Sequence, residues 1–327
     1  MTYEAVRKQL GKKPTLLLGN GFSIAFSGAF GYKRLYDEAK KEGIGRHAEA
    51  CFDHFGTVDF EHVLRLLGDA QWIGTEYGWQ ETKVLEADAQ AVRNALATAV
   101  TAPHPERGKE MPTDRLAAAQ KFLQAYRRVF TLNYDLLLYW SILRGAQAEL
   151  LDDGFRPRNG ALVFQGWDRE RRLYYLHGAL HLFRSGIATG KHSWSQSREA
   201  LSEAVRSQIE QGNHPLIVAE GASEKKIERI RESPYLNACF TELGATASRL
   251  VTLGVSFSEQ DEHVAEAIAE NTGIRTVFVG VHGGLDSADG TALVARVKRL
   301  SERRGQLHPK KPLHLHYFDS ATAKVWG

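Results

Sequence analysis

Over the last third of this 327-residue chain, helix-like and strand-like segments alternate without a break: helix 235–247, strand Leu250–Leu253, helix 260–271, strand Arg275–Val279, helix 288–303 and strand Leu313–Phe318. Parallel strands need long crossover connections, and a sheet built that way is covered by helices on both faces, so its strands read as short continuous apolar runs. The pattern therefore predicts an α/β fold, Rossmann-like and doubly wound, with a mainly parallel sheet.

Thr15–Leu18 and Arg128–Leu132 read as two further buried strands. Between them, segments 33–41, 59–68, 82–100 and 114–126 carry helical spacing, with Phe60, Val63, Leu64 and Leu67 on one face. This predicts a helical insertion at about 30–125, after the first βα unit. Arg171–Leu182 reads as a strand or hairpin with His177 and Gly178 at its middle, followed by a helix at 196–211 and a strand at Pro215–Ala219 ending in Glu220-Gly221. A boundary near 190–215 lacks a long linker, so residues 1–327 read as a single domain. There is no internal repeat.

Composition removes several function classes. A hydrophobic fraction of 43% with 25% charged residues supports a full core. No apolar stretch approaches the roughly 20 residues that span a bilayer, and MTYEAVRKQLGKK at the N-terminus lacks the apolar run of a secretory signal. Cys51 and Cys239 are too few for a disulfide framework or a cysteine zinc site, which points to a reducing, cytoplasmic setting without a membrane. The net charge of +3 is spread out, so nothing calls for nucleic acid. The clusters RERR at 169–172, SERR at 301–304 and HPKKP at 308–312 read as solvated charge.

Four islands carry the chemistry: LLLGNGFS at 16–23, TLNYD at 131–135, YLHG at 175–178 and LGVSF at 253–257. In the first, an apolar strand runs into two glycines, which permit a sharp turn and close approach to a diphosphate at the start of a helix. The full G-x-G-x-x-G fingerprint is absent, because Ile24 stands in the third glycine's place. Taken singly, Asn133 and Asp135 could cap a helix and His177 could be a satisfied interior histidine. Their fixed order along the chain is the stronger signal.

That order resembles the sirtuin family, whose Rossmann domain carries a Gly-Ala-Gly-x-Ser turn, a Thr-Gln-Asn-x-Asp motif, a His-Gly pair and a Gly-Thr-Ser-Leu turn. The match spans 16–257 on fewer than about 25 motif residues. Sirtuin deacylases also carry a four-cysteine zinc module, and this chain offers only Cys239 in the corresponding interval, which disfavours deacetylation. GNGFSIAF, VDFEHVL at 58–64, SPYL at 233–236 and GVSFSEQDEHV at 254–264 look more like the bacterial sirtuin-like domains of anti-phage defence proteins.

The resemblance implies NAD hydrolysis, with NAD as substrate, and assigns roles by matching positions. Gly19, Asn20, Gly21, Phe22 and Ser23 would cradle the pyrophosphate. Asn133 would orient the nicotinamide ribose and a water, Asp135 would bind the carboxamide, and His177 would act as general base. Gly254 and Ser256 would contact the adenosine side. Asp261 and His263 would either edge the adenine ribose pocket or form the first turn of a helix, where acidic residues are stabilised by the macrodipole. Glu61 reads as solvent-facing and stays outside the site. His181 could share the pocket with His177, and His314 and His316 read as structural, so no metal is expected.

Cleavage of a cationic nicotinamide linkage suits such a site, since the leaving group departs neutral and the charge to be stabilised lies on an oxocarbenium-like ribose. The resemblance further implies a toxic effector that halts an infected cell, held in check by homo-oligomerisation or by a partner such as a ring-forming translocase ATPase or a phage-sensing protein. Two alternatives stay open: a non-catalytic module that senses NAD or ADP-ribose, and ADP-ribosyl transfer.

Overall fold

Six strands meet in one parallel sheet, whose central apolar runs are too hydrophobic on both faces to lie at a surface, whereas the edge strand His314–Asp319 is mostly half-buried or exposed. The computed structural model describes residues 1–30, 35–57, 60–143, 151–185, 188–193, 201–211, 213, 215–218 and 223–327. In chain order the strands are β1 (Thr15–Leu18), β2 (Arg128–Thr131), β3 (Phe155–Arg158), β4 (Ala161–Phe164), β5 (Arg172–Tyr175), β6 (Gly178–Ser185), β7 (Ala188–Lys191), β8 (Pro215–Ile217), β9 (Leu250–Leu253), β10 (Thr276–Val281) and β11 (His314–Asp319). The parallel sheet has the order β11-β10-β9-β1-β2-β5. Leu16, Leu17 and Leu18 at its centre are fully buried, as are Leu250 and Val251 of β9.

The chain leaves β1 toward β2 on one side and later returns to β9 on the other. The reversal of winding therefore falls between β1 and β9, and the carboxyl ends of strands at such a switch point form a ligand crevice. This is the Rossmann-like, doubly wound arrangement expected from the alternating pattern.

The helices are α1 (Tyr3–Arg7), α2 (Gly21–Ile24), α3 (Leu35–Glu42), α4 (Arg46–His54), α5 (Phe60–Glu76), α6 (Thr82–Thr101), α7 (Thr113–Leu123), α8 (Leu137–Leu143), α9 (Leu201–Glu210), α10 (Ser223–Glu232), α11 (Pro234–Gly244), α12 (Glu262–Glu270) and α13 (Ala288–Leu307). Residues between Ala39 and Ala99, from α3 to α6, form an apolar cluster of their own around Phe52, Phe60, Val63 and Val92. Leu116, Ala119 and Phe122 of α7 belong instead to the main core. Among the described residues, no helix is long and apolar enough to cross a membrane.

The sequence reading missed a second sheet, antiparallel and five-stranded, ordered β3-β4-β7-β6-β8. Arg171–Leu182 is not one strand or hairpin. β5 ends in the parallel sheet, and Gly178, at φ +76°, turns the chain into β6 of the other sheet. The expected strand at Pro215 is likewise part of this sheet. Two charge clusters are also less solvated than expected: Arg304 is fully buried, and Arg171 donates to the carbonyls of Leu123 and Tyr126. The expected strand end at Glu220-Gly221, the starts of the helices expected from 33 and 196, residues 58 and 59, and the side chain of Glu61 lie outside the described residues.

Candidate active site at the strand ends

β1, β2, β5 and β9 end side by side, and their exits bring the four sequence islands together. After β1, Gly19 and Gly21 press against the loop leaving β9: a Cβ on Gly19 would stand 2.5 Å from the Gly254 carbonyl oxygen, and one on Gly21 would stand 2.5 Å from the Gly254 Cα. Gly254 itself has φ +67°. Only glycines allow two backbones to approach this closely.

The turn does not present a row of free amides. Gly19 N–H donates to the Leu253 carbonyl, Gly21 N–H to that of Gly254, Phe22 N–H to that of Gly19 and Ser23 N–H to that of Asn20. α2 is a single turn of four residues. Backbone cradling of a pyrophosphate, expected from the sequence, thus has four of its donors already engaged. Phe22 is fully buried, with its ring 4.8 Å from that of Trp326 and its carbonyl accepting the Trp326 indole N–H at 2.7 Å, so it packs the core rather than lining a crevice.

Ser23 is the hub of the polar group. Its hydroxyl donates to Asp135 Oδ2 at 2.5 Å and accepts from Asn133 Nδ2 at 2.9 Å. Asp135 Oδ1 accepts the Leu137 N–H at 2.9 Å, an Asx turn that starts α8. Asp135 therefore orients Ser23 and opens α8, and both of its oxygens already have protein partners. Burial pushes its carboxyl up to about 6, against the Ser23 and Leu137 hydrogen bonds that favour the ionised form. Asn133, whose N–H donates to Thr131 Oγ1, keeps its side-chain Oδ1 buried and without a partner among the described residues, and Asn20 Oδ1 is in the same position. Buried acceptors left unpaired are costly, and a ligand rich in hydroxyl and amide donors, as NAD is, would satisfy them.

His177 lies one strand away. The Leu176 N–H donates to the Thr131 carbonyl, and the His177 ring is hydrogen-bonded to the backbone of Leu132, the residue before Asn133. Asn133 and His177 are thus held at adjacent strand ends. The second sheet is tied to the same place, since the Leu180 N–H of β6 donates to the Tyr134 carbonyl.

His263 faces His177, with its Nε2 2.9 Å from His177 Nε2. Ser223 Oγ stands 2.8 Å from His263 Nδ1 and accepts the His263 backbone N–H at 2.7 Å. Beside them Lys226 Nζ and Asp261 Oδ1 pair at 3.0 Å, with the lysine side chain 3% exposed. Burial, reinforced by the Lys226 ammonium and the neighbouring His263, holds His177 well below the usual imidazole range. Burial also brings His263 down to about 4, opposed by Asp261. Asp261 caps α12 and His263 lies in its first turn, the second of the two expected placements, and from there His263 reaches His177.

His177, Asp261 and His263 place one ligand atom each within 4.8 Å of one another, so this group could hold a divalent ion, a constellation the sequence reading did not foresee. Ser256 is exposed, and its carbonyl accepts from Arg296. His181 is buried and stacks on Tyr139 at 4.1 Å, His316 stacks on Phe278, and His314 is exposed. A cleft of about 850 Å³, lined by Ser223, Phe257, Ser258, Glu262 and Arg296 among others, shares Ser223 with the buried group.

Ser223 and Lys226 escaped the sequence reading. Ser223 opening a run with Ile227 and Ile230 at helical spacing is an N-terminal helix signal, but its reach to His263, 40 residues on, is tertiary.

No curated protein matches this sequence. A solved complex of a mutant Sir2 homologue with 2′-O-acetyl-ADP-ribose is similar at 13% identity and a TM-score of 0.37, covering 95% of this chain and 99% of that one, a likeness too loose to carry an argument. A family described as a domain of unknown function (DUF4917) matches residues 16–326, and the chain belongs to that family.

Proposed function

We propose that this protein hydrolyses NAD to nicotinamide and ADP-ribose. The observation that carries the reading is Asn133: its amide nitrogen is fixed by Ser23, its oxygen is buried and unpartnered, and it stands at the strand end next to the one that carries a neutral buried histidine. The order of the four islands, which resembles that of sirtuins, supports the same assignment.

In this reading the Asn133 oxygen accepts a hydrogen bond from the nicotinamide ribose or from the attacking water. The C1′–N bond breaks with its electron pair leaving on nicotinamide, water adds at C1′, and His177 takes the proton that solvent later receives. General-base help of this kind contributes typically ~10²–10⁴-fold. Asn133, Asp135 and His177 are 1%, 3% and 3% exposed, so the resting arrangement is closed. Closure suits an effector whose activity must be released, and we assign the protein to anti-phage defence, gated by self-assembly or by a partner of the translocase or phage-sensing kind.

The test is to incubate the purified chain, alone and with its genomic neighbour, with NAD and to follow nicotinamide, ADP-ribose and labelled macromolecule. Free ADP-ribose in stoichiometry with nicotinamide is the expected result. Label on macromolecule would favour transfer, and binding without turnover would favour a sensor.

A further inference from the structure

Two imidazoles that face each other through their ring nitrogens, with a carboxylate beside them, are the donor set of a transition-metal site. His177 Nε2 and His263 Nε2 stand 2.9 Å apart. Two nitrogens on one tetrahedral zinc ion, each at about 2.0–2.1 Å from it, lie about 3.3–3.4 Å apart, so the rings need to part by only about 0.5 Å to admit the ion. Asp261 adds a carboxylate whose ligand atom lies within 4.8 Å of both histidines. Its side chain, 19% exposed, is the outermost of the three. Two imidazoles and one carboxylate suit zinc, whereas calcium and magnesium call for oxygen donors throughout.

The ligands come from two fixed places. His177 follows β5 at the strand end, while Asp261 and His263 belong to the start of α12, two residues apart. His263 is supported from behind as zinc-bound imidazoles are: Ser223 Oγ stands 2.8 Å from its Nδ1, and Phe240 stacks on its ring. An acceptor on the far nitrogen orients the ring and leaves the lone pair of the near nitrogen to the metal. Ser223, Gln260 and Glu262 line the cleft of about 850 Å³, which gives an ion its way in.

We infer that His177, His263 and Asp261 form a zinc site with its fourth position open, and that zinc bound there inhibits the protein. The site stands independently of the NAD reading. The inhibition rests on that reading, because His177 cannot take a proton while its nitrogen is held by the ion.

Lys226 sets how readily zinc enters. Its ammonium, on a side chain 3% exposed, pairs with Asp261 Oδ1 at 3.0 Å and so already offers the carboxylate a cation. It leaves Oδ2 for the ion but sets a buried positive charge beside a dication, which weakens binding relative to the same three ligands alone. The lysine thereby tunes the site to answer a rise in zinc rather than to keep the ion permanently.

Zinc titration of the purified full chain by calorimetry, together with the visible spectrum of the protein loaded with cobalt in place of zinc, tests the site without NAD. One ion per chain and a four-coordinate cobalt spectrum are expected. His263→Ala should weaken zinc binding by more than about 100-fold, Asp261→Asn by about 10-fold or more, and Ser223→Ala by about 10-fold. Lys226→Met should tighten it by about 10-fold, a gain that unfolding cannot mimic. Zinc that binds the wild type, His263→Ala and Asp261→Asn alike sits on other histidines and would overturn the site, as would no binding at all. The inhibition is read separately: zinc should suppress nicotinamide release from NAD, a chelator should restore it, and the half-inhibitory zinc concentration should follow the calorimetric affinity in the wild type and Lys226→Met. Hydrolysis unchanged or raised by zinc that binds with this ligand pattern would overturn the inhibitory role. A protein that shows the zinc pattern yet never cleaves NAD, chelator present, overturns the hydrolase reading and the inhibition with it, and leaves the zinc site standing.

Discussion

Ser23 donates its only proton to Asp135 while accepting from Asn133, which makes one hydroxyl the joint between a buried carboxylate and a buried amide. Removing it strands groups on both sides. Ser23→Ala is expected to destabilise the fold by about 1–3 kcal/mol, the usual cost of unsatisfied buried partners. In the proposed hydrolysis of NAD it should also lower kcat by about 10-fold or more with a smaller change in KM, since Asn133 loses its orientation rather than its presence. Urea titration and steady-state kinetics on the same preparation check both parts. An unchanged kcat would show that Asn133 does not depend on Ser23.

Asp135 gives the fold a pH dependence of unusual sign. Its carboxyl is raised from an ordinary 3.8 to about 6 by burial. The folded state therefore holds the proton more tightly than the unfolded one, and this contribution is full below about pH 3.8, fades as pH rises to 6 and is absent above. The shift corresponds to on the order of 3 kcal/mol. The stability of Asp135→Asn relative to the wild type should thus rise by on the order of 3 kcal/mol between pH 4 and pH 7, whatever its offset. Paired urea titrations across that range read the difference directly, and a flat difference would place the Asp135 titration elsewhere.

His263 acts in the opposite direction. Its imidazole falls from 6.5 to about 4, so the unfolded chain binds the proton more readily, and stability present above pH 6.5 is lost as pH falls toward 4. His263→Gln should flatten that acid loss, again on the order of 3 kcal/mol across the interval. The same titration series checks it.

The centre of the parallel sheet was legible because β1 and β9 are buried on both faces and so appear as uninterrupted apolar runs. The β9 boundaries match the expected Leu250–Leu253, and β1 the expected Thr15–Leu18. The second sheet was not, although part of its signal was present. Asn159-Gly160, both with positive φ, forms the tight turn between β3 and β4, and Asn-Gly between apolar stretches is a hairpin signature. The pairing of β6 with β8 joins segments a helix apart and leaves no local trace. At the site, spacing brought Asn133 and Asp135 into view together. The contacts of His177 with His263 and of His263 with Ser223 span 86 and 40 residues, distances over which no periodicity speaks.

Gly178 shows why the His-Gly pair need not owe its glycine to a ligand. A Cβ there would stand 1.8 Å from the Leu216 carbonyl oxygen, where β6 meets β8. Gly178→Ala adds this collision to the strain of φ +76°, and should cost more than about 4 kcal/mol or prevent folding. Gly160→Ala is the control. Gly160 has nearly the same φ, +78°, but open space around it, so only the backbone strain of about 1–2 kcal/mol remains. Thermal melts of the two variants separate the collision from the strain, and equal losses would show that the β8 backbone can move aside.

Arg304 and Arg303 adjoin in sequence and differ in worth. Arg304 is fully buried and pairs with no carboxylate among the described residues; its guanidinium instead donates to the carbonyls of Ile268, Ala269, Asn271 and Ile274, with a longer contact to that of Lys311. Three of these belong to the end of α12 or the residue that follows it, where carbonyls lack helical partners and a cation is favoured. α12 also carries His263 in its first turn, so this anchor fixes the far end of the element that presents the imidazole. Arg304→Met should destabilise by about 3–5 kcal/mol by leaving several carbonyls unsatisfied, and Arg304→Lys should recover little, because an ammonium cannot fan out to four acceptors. Arg303→Ala should cost less than about 1 kcal/mol, since its pair with Glu266 is 47% and 33% exposed. Chemical denaturation of the three variants tests the ranking, and a loss at Arg303 as large as that at Arg304 would mean that the exposed pair, not the buried fan, holds α12 against α13.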